Sequence, residues 1–233
     1  MKQAGQYGFR EVKRAVLDRV RNGVWGPGTL LPNEAELARE FGCSRATVNR
    51  ALRELSDEGI VDRRRRAGTQ IKLSPVRQVK FEIPLVRAEV LSSGAEYRYV
   101  LVSRAIQVAP DWLRARLDLQ PSARILHLEC MHYASGAPFQ FEDRWINLDT
   151  VPAAETADFS KINPNEWLIA TVPFTNAEVR LSATAATRTL SDFLQLPMAA
   201  PVFMAERTTW LSGQAITLTR LYFSGGYAMV AQY

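Results

Sequence analysis

Leu31-Pro32-Asn33-Glu34-Ala35-Glu36-Leu37-Ala38-Arg39-Glu40-Phe41-Gly42-Cys43-Ser44-Arg45-Ala46-Thr47-Val48-Asn49-Arg50-Ala51-Leu52-Arg53-Glu54-Leu55 is the stretch that decides the fold. It predicts two short helices joined by a tight turn. Asn33 offers a side-chain oxygen to the first free N–H groups of one helix. Glu36, three residues on, can reach back to the Asn33 N–H. Gly42 closes that helix, where a positive φ costs glycine nothing. Ser44 caps the next helix, leaving a link of about three residues, the length of a helix-turn-helix. In the second helix Val48, Ala51, Leu52 and Leu55 recur at i, i+3, i+4 and i+7, an apolar stripe that faces a core. Arg45, Ala46, Asn49, Arg50 and Arg53 fall on the other side, and this polar, cationic face is expected to read DNA.

The flanks extend the pattern. Upstream, Phe9, Val12, Val16 and Val20 form a third helical stripe closed by Asn22-Gly23, and Trp25-Gly26-Pro27-Gly28 makes the loop into the next helix. Downstream, Gly59 stops the second helix and Ile60-Val61 begins a strand. Arg63-Arg64-Arg65-Arg66-Ala67-Gly68 turns, and Thr69-Gln70-Ile71 returns. A hairpin with a cationic tip suits a phosphate backbone, and glycine at the tip admits close approach to a groove. An arginine run standing alone reads as a solvated face or tail; following a helix-turn-helix it reads as DNA contact.

Helix, turn, helix and winged hairpin, with Leu-Pro-x-Glu, Ser-Arg-x-Thr-Val-x-x-Ala-Leu-x-x-Leu-x-x-Glu-Gly and a Gly-Thr wing, resemble the GntR superfamily of bacterial transcription regulators from about Tyr7 to Ile71. The resemblance implies DNA contacts at Ser44, Arg45, Thr47 and Gly68; Arg50 on the same polar face is also expected to contact DNA, and Arg53 with the tip residues Arg63, Arg64, Arg65 and Arg66 to contact phosphates. Ala35 and Asn49 stand where many relatives carry Arg, and Gln70 replaces an aromatic of the wing. Arg reads guanine bidentately and Asn prefers adenine, so the operator is expected to differ at the Asn49 position.

Charge divides the 233 residues. The first 80 carry 17 basic and 9 acidic residues, a net of +8, and the remaining 153 carry a net of −3. The basic excess is concentrated where DNA would lie, and the acidic remainder argues against a second nucleic-acid surface. Two distant cysteines, Cys43 and Cys130, form no metal spacing or disulfide framework, which fits a cytoplasmic protein. No apolar run has the length of a membrane span. Neither metal nor cofactor is expected.

Beyond Ser74-Pro75 the pattern becomes mixed. A helix is expected over 83–93, a strand over 97–109, and a short helix around Trp112, Leu113, Leu117 and Leu119 ended by Pro121. Strands at 125–133 and 139–147 flank a turn at 134–138. Further strands are expected at 178–183, 202–211 and 215–223, and a helix at 187–196. The class is α+β: a winged helix-turn-helix over residues 1–73, a linker at 74–80 and an antiparallel-sheet domain over 81–233. The strand at 215–223 is expected to be exposed and to form a dimer surface. In the 125–133 strand Leu126, Leu128, Cys130 and His132 share one face. In its partner Gln140, Glu142, Arg144 and Ile146 oppose Phe139, Phe141, Asp143 and Trp145. Alternation alone reads the Gln-Glu-Arg row as solvent-facing, with a polar pocket as the other reading.

Residues 81–233 resemble the effector domain of the HutC-type branch, of chorismate-lyase-like (UTRA) type. Glu142-Asp143-Arg144-Trp145-Ile146-Asn147, Asn163-Pro164-Asn165-Glu166-Trp167-Leu168, Pro173-Phe174-Thr175-Asn176-Ala177-Glu178 and Arg207-Thr208-Thr209-Trp210 are similar to its histidine-utilisation group. That resemblance implies a homodimeric repressor on a palindromic operator, released by urocanate. It puts ligand contacts at Glu142, Cys130 and His132; Cys and His where sugar-phosphate binders carry Arg argue against a phosphate. Glu142, Glu178 and His132 could serve the imidazole ring, Arg144 or Arg180 the carboxylate tail, and Tyr222 or Phe141 the flat wall, between the 125–147 hairpin and the strand beginning at Glu178. The Glu-Arg pairs could equally be ion pairs with no ligand role. A repressor answering another small carboxylate or amino-acid derivative, and a chorismate-lyase-like enzyme, are the competing readings.

Overall fold

The computed structural model describes residues 7–64, 68–72 and 85–230. The expected linker, Arg65, Arg66 and Ala67 lie outside them. Helices α1 (Phe9–Arg21), α2 (Glu34–Glu40) and α3 (Arg45–Asp57) are followed by strands β1 (Val61–Arg64) and β2 (Gly68–Ile71). The capping chemistry is as the residues predict. The Asn33 side chain accepts from the Ala35 and Glu36 N–H groups while Glu36 accepts from the Asn33 N–H. Ser44 accepts from the Thr47 N–H, and Gly42 has φ +60°. Val12, Val16, Val20, Leu37, Val48, Leu52, Leu55, Ile60 and Ile71 are buried in one core. Burying each such side chain contributes roughly 1.5–3 kcal/mol. The loop before α2 does more than connect. Leu31 donates to Thr69 and Ile71 donates to Thr29, both at 2.8 Å, so this loop bridges to β2 at Leu30 and Gln70.

The second module contains α4 (Val86–Ser92), β3 (Tyr97–Val108), α5 (Asp111–Leu117), β4 (Arg124–Ala134), β5 (Ala137–Asn147), α6 (Pro164–Thr171), β6 (Asn176–Ala185), α7 (Arg188–Leu194), β7 (Pro201–Leu211) and β8 (Gln214–Phe223). The six strands make one antiparallel sheet in the order β3-β4-β5-β8-β7-β6. β4–β5 and β7–β8 are two-residue hairpins turning at Ser135-Gly136 and Ser212-Gly213, all four residues at positive φ. The expected α+β class is the observed one. Helix α5 stops earlier than expected, at Asp118 with φ +53°, before Pro121 is reached. Helix α6 has no counterpart in the sequence reading. Eight residues opened by Asn163 and Pro164 carry caps but too few turns for an apolar period.

Both faces of the central strands are covered. On one, Leu113 and Leu117 of α5 pack on Ile125, Trp145 and Leu218, while Leu190 and Leu194 of α7 pack on Met131, Phe141 and Val202. On the other, Val151, Ala154, Phe159, Leu168 and Val172, from the segment between β5 and β6, close over Leu126, Leu128, Cys130 and Ile146. Strand β8 is not exposed, contrary to expectation: it is hydrogen-bonded to β5 on one side and β7 on the other. The two modules meet at α6. Arg21 donates to Gln214, and a Cβ on Gly26 would lie 3.1 Å from the Ala170 carbonyl oxygen.

Candidate functional site

Two sites take shape, one on each module. On the first, Arg45, Ala46, Arg50 and Arg53 are exposed on α3, opposite its buried stripe. Arg50 lies 3.7 Å from the Phe9 ring centroid, which keeps it beside the helix surface. The Ser44 hydroxyl is held by its cap and by Thr47 Oγ1 at 2.9 Å. On the wing, Arg64 is well exposed and pairs with Asp62 at 3.0 Å. Arg63 does not project from the tip: it lies within β1 and donates to Glu34 at 2.6 Å. Gly68 has φ +84°, and a Cβ there would meet Leu30 Cδ1 at 3.2 Å, so a side chain would be both strained and crowded. Pro32, Glu34, Arg45, Arg63, Arg64 and Gly68 line one open cleft between α2, α3 and the wing.

On the second module, the paired positions of β4 and β5 set Cys130 beside Glu142 and His132 beside Gln140. Gln140, Glu142 and Arg144 are buried, at 2, 1 and 0% exposure. The solvent-facing reading of this row is therefore wrong. Alternation distinguishes two faces but not which is wet, and here the segment carrying α6 covers the polar one. Arg144 donates through Nε to Glu142 Oε1 at 2.5 Å, and His132 Nε2 lies 3.3 Å from Glu142 Oε2. Burial opposes ionisation of Glu142, but Arg144 and His132 together hold its carboxyl well below the usual carboxylate range. An ionised carboxylate only accepts, so His132 Nε2 carries hydrogen. The Tyr97 hydroxyl, 2.9 Å from His132 Nδ1, can then donate to it while accepting from Asn163 Nδ2 at 3.3 Å.

Arg207 of β7 completes the chamber. Burial and then the neighbouring Arg144 charge draw it down to about 10, and it donates to Asn165 at the start of α6. Both terminal nitrogens of Arg144, and Nε of Arg207, are buried without a partner among the described residues. Two guanidiniums against one carboxylate leave a net positive charge and unused buried donors. Such a site favours an anion with a planar acceptor edge.

Strand pairing separates the remaining expected ligand residues from this chamber. Glu178 pairs with Thr208, Thr208 with Leu218, and Leu218 with Trp145, which places Glu178 on the opposite face from Glu142. There it binds Arg116 at 3.0 Å and Arg180 at 2.5 Å, the plain ion-pair reading. Tyr222 pairs with Phe141; both lie under α7, again on the far side. Strand β6 is also separated from β5 by β8 and β7, so the hairpin and β6 are not neighbours as the expected pocket required. His132, Glu142 and Arg144 are brought together; Glu178 and Tyr222 are not. Sequence reasoning missed Arg207, Asn163, Asn165 and Tyr97 as chamber residues. The first three lie in segments whose similarity was noted without a role, and that similarity was the available signal.

A winged helix-turn-helix joined to a sheet module enclosing buried charges defines a two-domain transcription regulator. Residues 9–71 match the bacterial regulatory proteins of the gntR family, and residues 92–227 match the UTRA domain. The chain belongs to the GntR family of DNA-binding regulators, in its UTRA-bearing branch. The Histidine utilization repressor of Klebsiella aerogenes is 31% identical over 93% of this chain and 90% of its own length. That of Pseudomonas putida is 30% identical over 93% and 88%. Among solved structures, the C-terminal domain of the histidine utilization repressor from Pseudomonas syringae superposes with a TM-score of 0.56 at 24% identity, covering 59% of this chain and 99% of that one. PhnF from Mycobacterium smegmatis gives 0.55 at 24% identity, covering 94% and 99%. These two likenesses establish the fold alone. The curated relatives are repressors and not enzymes, so the lyase reading is set aside. Among the described residues no helix is long and apolar enough to cross a membrane.

Proposed function

We propose that this chain is a cytoplasmic, homodimeric repressor of histidine-utilisation genes, released from a palindromic operator by urocanate. The observation that carries the ligand half is the pair of unpartnered, buried terminal nitrogens on Arg144, with Arg207 beside them. A urocanate carboxylate can take that planar donor edge, and its imidazole N–H can reach the Glu142 carboxylate, with the Tyr97 and Tyr99 rings flanking His132. Names and identities of the curated relatives support the regulated genes. On the DNA side, Arg45, Thr47 and Asn49 face the major groove with Gly68 close to the minor groove, while Ser44, Arg50, Arg53, Arg64 and Arg65 contact phosphates.

The two halves communicate through α6 in this reading. Asn163 and Asn165 reach the chamber at one end, and Ala170 and Thr171 meet the Gly23–Gly26 loop of the DNA-binding module at the other. A ligand that changes the set of α6 changes the seat of the winged helix. The chamber asks for an anion before it asks for an imidazole, so another small carboxylate is the second reading. Calorimetry with urocanate, histidine, a plain unsaturated carboxylate and a sugar phosphate decides between them. Urocanate should bind and lower operator affinity; heat with the sugar phosphate and none with urocanate would overturn the histidine-utilisation reading and leave a repressor of another pathway.

A further inference from the structure

The DNA-reading face contains an acid, Glu34, the first residue of α2. One of its oxygens, Oε1, accepts from Asn49 Nδ2 at 2.7 Å and from the Arg63 guanidinium at 2.6 Å. Glu34 thus touches the recognition helix and the wing at once, and it lines the same surface as Arg45, Ala46, Asn49, Arg50 and Arg53. A bare carboxylate beside phosphates repels them; Arg63 neutralises this one. The helix cap does not need it, because Asn33 and Glu36 complete that exchange between themselves.

We propose that Glu34 is a specificity-determining positioning residue that fixes the amide of Asn49 for adenine. This rests on α3 being the DNA-reading helix. An asparagine amide can flip, presenting either oxygen or nitrogen to a given side. A carboxylate cannot donate, so it binds only the nitrogen side and removes that freedom. One Asn49 N–H is spent on Glu34. The second N–H and the carbonyl oxygen remain as an adjacent donor–acceptor pair, the pattern that matches adenine N7 and N6 in the major groove. A flipped amide would put an acceptor toward N7, an acceptor itself, and lose the match. Because Arg63 shares the same oxygen, the wing strand is tied to that same setting.

The test uses duplexes selected by the full-length wild-type chain from a randomised pool, with scrambled duplexes as the reference. Wild type, Glu34→Gln, Glu34→Asp and Asn49→Ala are compared for affinity at every single-base variant, alongside their melting temperatures. Glu34→Gln removes the obligate acceptor; Glu34→Asp keeps the charge but withdraws it by one methylene. Both should fold as wild type and lose about tenfold of discrimination at one base pair per half-site. That pair should be the one Asn49→Ala flattens. Glu34→Gln combined with Asn49→Ala should add no further loss there. For Glu34→Gln, scrambled-duplex affinity should rise, since Arg63 is released toward phosphate. Full discrimination at that pair in both Glu34 variants would overturn the proposal while leaving α3 as the reader. Equal loss at all positions, or loss at a pair that Asn49→Ala spares, would overturn it too. A wild-type chain that selects no sequence would instead remove the DNA-reading assignment beneath it.

Discussion

Glu142 sits between Arg144 and His132 and is 1% exposed. Its folded-state ionisation lies below its ordinary value of 4.5. The associated stabilisation is therefore complete above about pH 4.5 and is lost as pH falls toward the lowered folded value. Removing one partner of a buried pair typically costs about 3–5 kcal/mol. Urea unfolding of wild type and Glu142→Gln should show a gap of that order near neutral pH, narrowing below pH 4.5. A gap independent of pH would mean that the carboxyl ionises alike in the folded and unfolded chains, and a gap that widens as pH falls would mean that it is neutral when buried. Arg144→Lys keeps the charge but not the two-nitrogen edge. It should weaken urocanate by about 1–3 kcal/mol in calorimetry, whereas Glu178→Gln, on the far sheet face, should leave binding unchanged. Loss with Glu178→Gln would contradict the separation of the two faces.

In the proposed reading α3 and the wing divide labour by where their side chains point. Arg45, at the first turn of α3, is exposed beside the cleft toward the wing. Arg45→Ala should cost about 1–3 kcal/mol on the selected operator and relax preference at one base pair. Arg64→Ala should weaken all duplexes alike and flatten the salt dependence by about one unit. Equal weakening of operator and scrambled DNA by Arg45→Ala would place it on phosphate instead. This level of structure was the most legible from residues alone. Caps, the turn at Gly42 and the α3 stripe are local, and each is set by side chains within one or two turns of the backbone they serve. Helix α6 and the bridge from the loop before α2 to β2 were not legible. One is too short to show a period, and the other exists only because β2 lies beside it.

Between the modules, α6 is the shared element, so ligand and DNA should be coupled and the coupling reciprocal. Urocanate should lower operator affinity by the factor by which operator DNA lowers urocanate affinity, about 5–150-fold for a typical regulator. Unequal factors in the two titrations would mean that a third equilibrium intervenes. A fragment ending near Pro75 should be monomeric and bind DNA weakly, since one winged helix makes few base contacts. Sedimentation and a binding titration check this, and a dimeric, fully competent fragment would remove the assembly role from the second module. In the proposed dimer, an interior β8 cannot pair edge to edge, which leaves the open edges of β3 and β6 as the candidate surfaces.

Residue order was enough for the winged helix-turn-helix, the α+β class and most strand positions, because those follow from caps, periodicity and turn residues acting over a few positions. It was also enough to pick out His132, Glu142 and Arg144 as chemically distinctive. It could not say that their row is buried, that Arg207 joins them, or that Glu178 and Tyr222 face away. Those facts depend on strand order, and on a long crossing segment that covers one face of the sheet. Alternation along a strand gives two faces. Which one is sealed from water, and which charges are thereby forced together, is settled by contacts between residues tens of positions apart.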